Sequence, residues 1–221
     1  MRRSVILVVA ALSTVAVVAT YVFLRGPAGE PYEALTSSQE DLVTVSDTRV
    51  FFAHQSVGGN ILDGVPAVFE SHGLAVPQVG ELESAQTGDW LVHTRVGENG
   101  DPLGKIREFD AAVRDGLGEE IDVAILKLCY SDVLADTDLD EVFAAYTDTL
   151  EALERDYPDV AFVAATVPLS IKRSLVGTVK EWVGRGDRYG PEHNLAREKL
   201  NARLRAEYAE AGQLFDIASI E

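Results

Sequence analysis

The sequence predicts an α/β fold in which helices cover both faces of a parallel β-sheet. Two observations support this prediction. Short apolar runs, which are typical of buried parallel strands, alternate along the chain with segments whose apolar residues recur every three or four positions. Strands joined through helices pair in parallel, and the helices pack against the sheet. With 47% hydrophobic and 25% charged residues, the composition is that of an ordinary globular protein.

In the first half of this alternation, residues 49–117, the sequence predicts two strands and two helices. The run Arg49–Ala53 is short and apolar, as expected of a strand. Val57–Ser71 carries apolar residues at helical spacing, and Gly73 suits the end of that helix. Trp90–Arg95 is a possible second strand. Asp101–Leu117 carries its apolar residues on one face, which predicts a helix.

The second half continues the alternation. Ile121–Leu128 is a nearly continuous apolar run, which is typical of a buried parallel strand. Asp138–Asp156 has apolar residues at i, i+3 and i+4, so it predicts a long amphipathic helix. Val160–Val167 resembles the preceding buried strand. Pro191–Ala211 predicts another helix, and Leu214–Ala218 predicts the last strand.

The N-terminus is a separate unit. Residues 4–24 contain no charge, and about 20 apolar residues in a helix span a hydrocarbon core of roughly 30 Å. Residues 1–25 therefore predict a signal anchor, with Arg2 and Arg3 on the cytoplasmic side. A cleaved secretory signal is the alternative. Residues 26–47, rich in Pro and Ser, predict a tether, and residues 48–221 would form an α/β domain outside the cytoplasm.

Charge and composition restrict the function. The chain has 19 Lys and Arg against 36 Asp and Glu, a formal net charge of −17. Phosphate binding needs a basic surface, so nucleic acid is not expected as a partner. One Cys cannot form an intramolecular disulfide framework. No His-Glu-x-x-His occurs. A zinc hydrolase is therefore unsupported, and since no calcium-loop or phosphate-loop motif is complete either, we expect no metal ion and no cofactor.

Ligands bind open parallel sheets at the carboxyl ends of the strands. Three loops follow predicted strands there, namely His54–Asn60, Cys129–Asp132 and Thr166–Ser170. Ser56 would lie at a helix N-terminus, where unpaired amides can stabilise an oxyanion. The alternative is that Ser56 simply caps the helix.

The first of these loops resembles a known nucleophile block. Arg49–Asn60 is similar to the segment of the SGNH (GDSL-type) hydrolases in which a first strand ends in Gly-Asp-Ser and leads into a helix, and here Ser56 matches the nucleophile. Asp122–Asp132 resembles the family's strand ending in Gly-x-Asn-Asp. The order of blocks follows the family over roughly residues 48–218, most closely a branch with a His-Gln-Ser block.

The resemblance implies a flavodoxin-like three-layer α/β/α sandwich and a serine hydrolase. It implies Ser56 as the nucleophile, Ser131 in place of the Asn that donates to the oxyanion, and Asp132 as a residue that orders the third loop. His54, two residues before Ser56, is a candidate base, but a structural or substrate-contacting role is the favoured alternative. Gly97 and Gly100 are candidates for the family's second-block glycine. The residues expected to contact substrate are Gln55, Gly58, Asn60 and Tyr130.

The chain also departs from the family. Cys129 replaces the expected Gly, and no Asp-x-x-His occurs, although the family draws its catalytic Asp and His from that element. We therefore expect residues 48–221 to lack the C-terminal catalytic element. Of the other histidines, His193 opens the last long helix, whereas His72 and His93 are interpreted as surface or loop residues. The polar connection Ser170–Tyr189 predicts a lid or binding loop.

Two functions remain open. The first is a membrane-anchored extracytoplasmic serine hydrolase that cleaves an ester of a cell-envelope glycan or lipid through Ser56. The second is a non-catalytic envelope protein that binds a glycan or a partner on the same scaffold, since the Asp-x-x-His element is missing.

Overall fold

The computed structural model describes residues 38–84, 91–170 and 188–219. The described strands are β1 (Val50–His54), β2 (Val79–Glu81), β3 (Leu91–Arg95), β4 (Val123–Leu126), β5 (Ala161–Ala165) and β6 (Leu214–Phe215). The described α-helices are α1 (Gln39–Ser46), α2 (Val57–Ser71), α3 (Pro102–Arg114), α4 (Leu139–Asp156) and α5 (Pro191–Tyr208). The predicted anchor, residues 26–37 of the predicted tether and residues 171–187 of the predicted lid lie outside these ranges.

The strands form one parallel sheet in the order β2-β3-β1-β4-β5-β6. The predicted α/β character and parallel sheet are thereby confirmed. Strand β1 lies in the interior of the sheet, with Phe51 in register with Val92 on one side and with Ala124 on the other. Because all six strands run the same way, the loops that follow them meet at one edge.

Apolar side chains from alternate positions of the strands pack in two clusters. The larger cluster combines Phe51 and Ala53 of β1 with α3, α4 and α5, and Phe51 stacks on Phe109 of α3 at 5.8 Å between ring centroids. The smaller cluster contains Val50, Phe52 and Leu91, against which Ile61 and Leu62 of α2 pack. Successive residues of a strand point to opposite faces, so these clusters place helices on both sides of β1.

Side chains fix where the helices begin. Asp101 accepts a hydrogen bond from the Gly104 amide at 2.8 Å, and Pro102 opens α3 at a position where its missing N–H costs nothing. Asp138 accepts from the amides of Asp140 and Glu141 at the start of α4. These caps account for the one-residue difference from the predicted helix starts at both sites.

The structure also differs from the predictions. Strand β2 was not predicted, because three residues with exposed or half-exposed side chains show no periodicity. The last strand is two residues long and is followed by a 3₁₀ turn at Ile217–Ser219, not a strand to Ala218. Helix α5 ends at Tyr208 instead of Ala211.

Part of the predicted tether is helical. Helix α1 occupies Gln39–Ser46, and Ser38 and Asp41 form a reciprocal capping box at its start. The Pro and Ser content of residues 26–47 predicts a tether and does not indicate this helix. In the described ranges, no helix has both the length and the apolar character needed to cross a bilayer. The segment predicted to do so lies outside those ranges.

Candidate active site

A turn of two residues, Gln55 and Ser56, joins β1 to α2 at the carboxyl edge of the sheet. Ser56 has φ 38° and ψ −91°, and it is the one non-glycine residue with positive φ in the described ranges. A residue held in such a sparsely populated conformation costs on the order of 1–3 kcal/mol, and residues of this kind concentrate at functional sites. A sharp, strained strand-to-helix turn is also the setting that exposes a nucleophilic serine.

The Ser56 side chain is exposed and does not cap the helix, although the residue occupies the N-cap position. The alternative prediction, that Ser56 serves only as a cap, is therefore wrong. Its Oγ has no hydrogen-bond partner within the described part of the chain. The amides of Gly58 and Gly59 bond back to the Gln55 and Ser56 carbonyls, both at 2.9 Å, so they close the turn.

The His54 ring is buried beneath the first turn of α2. It stacks on Phe52, and its Nε2 lies 3.2 Å from Nδ1 of His93, a hydrogen-bonding distance. Its Nδ1 has no partner among the described residues. His54 therefore makes no hydrogen bond to Ser56. The contact that a candidate base would need is absent between these two residues.

Burial holds the His54 ring uncharged. Burial is the largest cause lowering the pKa of His54, and the nearby charges of His93, Lys127 and Arg95 lower it further, to about 4. Burial also lowers the pKa of His93, against the opposing effect of Glu81. His93 was interpreted as a surface or loop residue, and this is wrong, since it lies half-buried in β3.

Gln55 connects the turn to the loop after β3. Its Nε2 donates to the carbonyl oxygens of Val96 at 3.0 Å and Gly97 at 2.8 Å. The side chain predicted to contact substrate is thus used to hold two loops together at the edge of the sheet. The amide of Gly97 in turn donates to Glu108 at 2.6 Å.

Asp132 organises the third loop, which follows β4. Its carboxylate accepts hydrogen bonds from the amides of Cys129 at 2.6 Å and Gly100 at 2.8 Å. Lys105 of α3 contacts both oxygens of this carboxylate, at 2.7 and 2.8 Å, and both side chains are fully buried. A buried charge pair with this many hydrogen bonds is stable only while every partner is present. Asp132 therefore fixes the loop.

Ser131 lies in the same turn with only 4% of its surface exposed, and its Oγ has no hydrogen-bond partner. Buried hydroxyls are nearly always bonded, so this one has unused hydrogen-bonding capacity. The amides of both predicted second-block glycines, Gly97 and Gly100, are already bonded to carboxylates. Within the described residues, the Ser131 hydroxyl is therefore better placed than either glycine amide to donate a further hydrogen bond.

The remaining predicted contact residues lie around this edge. Tyr130 is half-buried, its hydroxyl lies 3.1 Å from that of Tyr189, and the Arg197 guanidinium lies 5.5 Å from its ring centroid. Burial, followed by the bond to Tyr189, raises the pKa of Tyr130 to about 12. Gly58 is buried against His54, and Asn60 is exposed on the first turn of α2.

The loop after β5 is held by two asparagines of α5. Asn201 accepts from the Val167 amide at 2.7 Å and donates to its carbonyl at 2.9 Å. Asn194 makes the equivalent pair of bonds with the backbone of Ser170. His193, beside Asn194, accepts from the Ala135 amide at 3.0 Å, so it lies near the loop after β4.

Sequence reasoning missed Lys127. It follows β4 directly, is completely buried, and places its Nζ 3.4 Å from the carbonyl oxygen of Gln55. The signal was present in the sequence, because a lysine interrupts the apolar run Ile121–Leu128. A charged residue in a buried strand needs a polar partner. Here the turn at the end of β1 provides one, the carbonyl oxygen of Gln55.

A small cavity adjoins the site at the carboxyl ends of β2 and β3. Its volume is about 220 Å³, and it is lined by Glu81, Leu82, Glu83, His93, Thr94 and Arg95. Within the described ranges, no group of three or more His, Cys, Asp or Glu side chains could hold a metal ion.

No protein-family model and no curated protein sequence matches the chain. The chain is similar to a solved structure from Streptococcus pneumonia that is provisionally named a platelet activating factor. The sequence identity is 12% and the TM-score is 0.37, and the match covers 74% of this chain and 80% of that chain.

Proposed function

We propose that the chain is a serine hydrolase of the SGNH type, with a flavodoxin-like three-layer sandwich, which cleaves an ester through Ser56. The observation that supports this most strongly is the conformation of Ser56. Its backbone is held at positive φ between β1 and α2, and its Oγ is exposed and unbonded within the described residues. A serine that only capped the helix would need neither the strain nor the free hydroxyl.

In this proposal, Ser56 Oγ attacks the ester carbonyl carbon. The positive end of the α2 dipole lies at the attacking atom and favours the negative charge that develops on the carbonyl oxygen. Ser131 Oγ, buried and unpartnered, is the proposed side-chain donor to that oxygen. Asp132 and Gln55 hold the loops that carry these groups, through their bonds to Gly100, Val96 and Gly97.

The proposed substrate is an ester of a cell-envelope glycan or lipid, and the proposed location is outside the cytoplasm. Both proposals rest on the uncharged segment of residues 4–24 behind Arg2 and Arg3, which suits a membrane anchor or a secretory signal.

The test is labelling of the full chain by a fluorophosphonate, together with hydrolysis of a short-chain aryl ester. We expect wild type to be labelled at Ser56 and to turn over the ester, and Ser56→Ala to lose both. Ser71→Ala removes an exposed hydroxyl at the other end of the same helix and is the matched control. Equal behaviour of wild type and Ser56→Ala would show that the nucleophile is assigned wrongly.

A second candidate function is non-catalytic binding at the same edge of the sheet. One observation favours it, namely that neither His54 nor another described side chain is hydrogen-bonded to Ser56 Oγ. Glycan binding that survives Ser56→Ala, without turnover or labelling, would support this candidate. Detection of an acyl-enzyme would exclude it.

A further inference from the structure

The guanidinium of Arg188 lies beside the loops that follow β3 and β4. Its Nη2 lies 3.8 Å from the position that a Cβ would take on Gly100, in the loop after β3. The carbonyl oxygen of Ser131, in the loop after β4, lies 3.8 Å from the same point. Because β3 and β4 flank β1 in the sheet, these two loops lie on either side of the turn that carries Ser56.

The backbone of Arg188 is held by a buried guanidinium, that of Arg197 in α5. Nη2 of Arg197 donates to the Arg188 carbonyl oxygen at 2.7 Å. Nε of the same group donates to the carbonyl oxygens of Tyr130 at 2.9 Å and Val133 at 3.1 Å. The Arg197 side chain is completely buried. It therefore fastens Arg188 to the segment that contains Ser131.

The residue after Arg188 makes a second connection to that segment. The hydroxyl of Tyr189 lies 3.1 Å from that of Tyr130, and the two ring centroids are 5.4 Å apart. Burial and this bond raise the pKa of Tyr130, and the charge of Arg188 acts in the opposite direction, as expected of a nearby cation. Since both connections fix the backbone, Arg188 loses less conformational freedom on binding a ligand than a residue in an unattached loop would.

The Arg188 side chain is exposed, and it has no hydrogen-bond or ion-pair partner in the part of the chain that the structure describes. Asp132, which accepts from the Gly100 amide, is neutralised by Lys105 at 2.7 Å. Most other described arginines are paired with carboxylates, namely Arg49, Arg107, Arg114, Arg203 and Arg205. The chain has 36 Asp and Glu against 19 Lys and Arg, so an unpaired guanidinium at the candidate site is a distinctive feature.

Two other exposed arginines of the described ranges also lack a carboxylate partner, and neither is placed like Arg188. Arg155 lies in the last turn of α4, where the helix dipole favours a cation. Arg95 ends β3, but Glu81 and Glu83 line the same cavity and would repel an anion. Among these three, Arg188 is therefore the one suited to a negatively charged ligand at the candidate site.

We infer that Arg188 binds an anionic group of the substrate, so that the proposed hydrolase prefers esters of molecules that carry a carboxylate or a phosphate near the ester bond. This inference rests on the proposed function and names the class of its substrate. A planar guanidinium forms two parallel hydrogen bonds with either group, and these bonds are stronger than those between neutral partners. An acidic glycan supplies the carboxylate and a lipid headgroup supplies the phosphate.

The first experiment compares hydrolysis by the full chain of two aryl acetates that differ in one charge, para-acetoxybenzoate and para-acetoxybenzamide. We expect kcat/KM to be at least about tenfold higher for the benzoate, the usual contribution of a hydrogen bond to a charged group. Arg188→Gln should abolish this ratio, and Arg188→Lys, which keeps the charge without the planar fork, should retain part of it. Arg155→Gln is the matched control and should keep the wild-type ratio.

The second experiment measures the binding of glycerol phosphate and of glucuronate to the full chain by calorimetry, a readout that does not need a reactive Ser56. We expect Arg188→Gln to weaken the tighter of the two at least about tenfold, and Arg155→Gln to bind it like wild type. Tighter binding of glycerol phosphate would point to a lipid headgroup, and tighter binding of glucuronate to an acidic glycan.

The outcomes separate this inference from the proposed function. Hydrolysis of both aryl acetates at equal kcat/KM, with neither anion bound, would overturn the inference and leave the hydrolase intact. A charge preference that persists in Arg188→Gln would assign the anion to another residue and overturn it as well. Anion binding that is lost in Arg188→Gln, in a wild-type chain that hydrolyses neither ester and is not labelled, would support the anion site and refute the hydrolase.

Discussion

The imidazole of His54 lies directly beneath Gly58, so close that a methyl group at position 58 would overlap the ring. Two residues of the same short segment, one in β1 and the other in the first turn of α2, are thereby packed against each other without an intervening side chain. The contact seats α2 on the sheet and sets the sharp turn at Ser56. The need for glycine at this position is steric, since Gly58 itself is an ordinary helical residue.

This contact predicts that Gly58→Ala is destabilising, although alanine normally favours a helix. Overpacking in a buried site costs about 1–3 kcal/mol, which exceeds the roughly 1 kcal/mol that alanine contributes in a helix interior. Gly64→Ala on the same helix meets no atom within 4 Å and should stabilise. Urea unfolding of the two variants measures this, and equal effects would contradict the packing at Gly58.

Acid should weaken the fold through the histidine pair. The pKa of His54 is lowered to about 4 in the folded chain, from an ordinary value of 6.5, so the unfolded chain binds this proton first as the pH falls. The contribution of the uncharged His54 ring to the free energy of unfolding is therefore fully present above about pH 6.5. It is lost as the pH falls towards 4, and the loss from His54 alone is about 3 kcal/mol.

Denaturant unfolding at pH 7.5, 6, 5 and 4 tests this. His54→Gln should flatten the part of the pH dependence that lies between pH 6.5 and 4, while carboxylate contributions remain. His72→Gln, at the opposite end of α2, should retain the wild-type slope. An unchanged slope in His54→Gln would mean that the buried ring does not govern acid stability.

The buried pair of Lys105 and Asp132 should be sensitive to loss of one partner. Lys105→Met leaves a carboxylate without its cation in the interior, and this typically costs 3–5 kcal/mol. Arg107→Met breaks an exposed pair with Asp101 at 3.9 Å and should cost less than about 1 kcal/mol. Free energies of unfolding compare the two, and a small loss in Lys105→Met would argue against the pair as the anchor of the third loop.

Ser131→Ala separates stability from reactivity. Because the Ser131 hydroxyl is buried without a partner, its removal should leave stability unchanged or raise it slightly. If Ser131 donates to the oxyanion, labelling or turnover should nevertheless fall about a hundredfold. Thermal unfolding and labelling rates on the same sample give both values. A variant that loses stability but keeps its reactivity would assign Ser131 to the fold and not to the reaction.

The elements of this fold that could be predicted from sequence are those with a long, regular pattern. Val57–Ser71 was predicted with its observed bounds, because apolar spacing and Gly73 mark both the helix and its end. The parallel sheet followed from the apolar runs. Strand β2 could not be found in this way, since its three residues have no buried face to impose a period.

The site was predicted less well than the fold, for physical reasons. The position of Ser56 followed from its block, but its positive φ arises only where β1 and α2 meet across two residues. His93 lies in a strand whose inner residues are all half-buried, so no alternation marked it as an interior group. Lys127 was visible as a charge within an apolar run, yet its partner, the carbonyl of Gln55, is a backbone atom that no sequence pattern shows.

The place of β1 in the sheet has a consequence for folding. Among the described strands, the one that is made first lies in the interior, between β3 and β4, which are both made later. Pairing across such long stretches of chain is slow, and an unpaired apolar strand is prone to aggregate or to be cut by proteases. The turn at Ser56 therefore takes its final form only after β4 has been synthesised, so a nascent chain that stalls before residue 123 carries Ser56 without the strand that completes the framework around it.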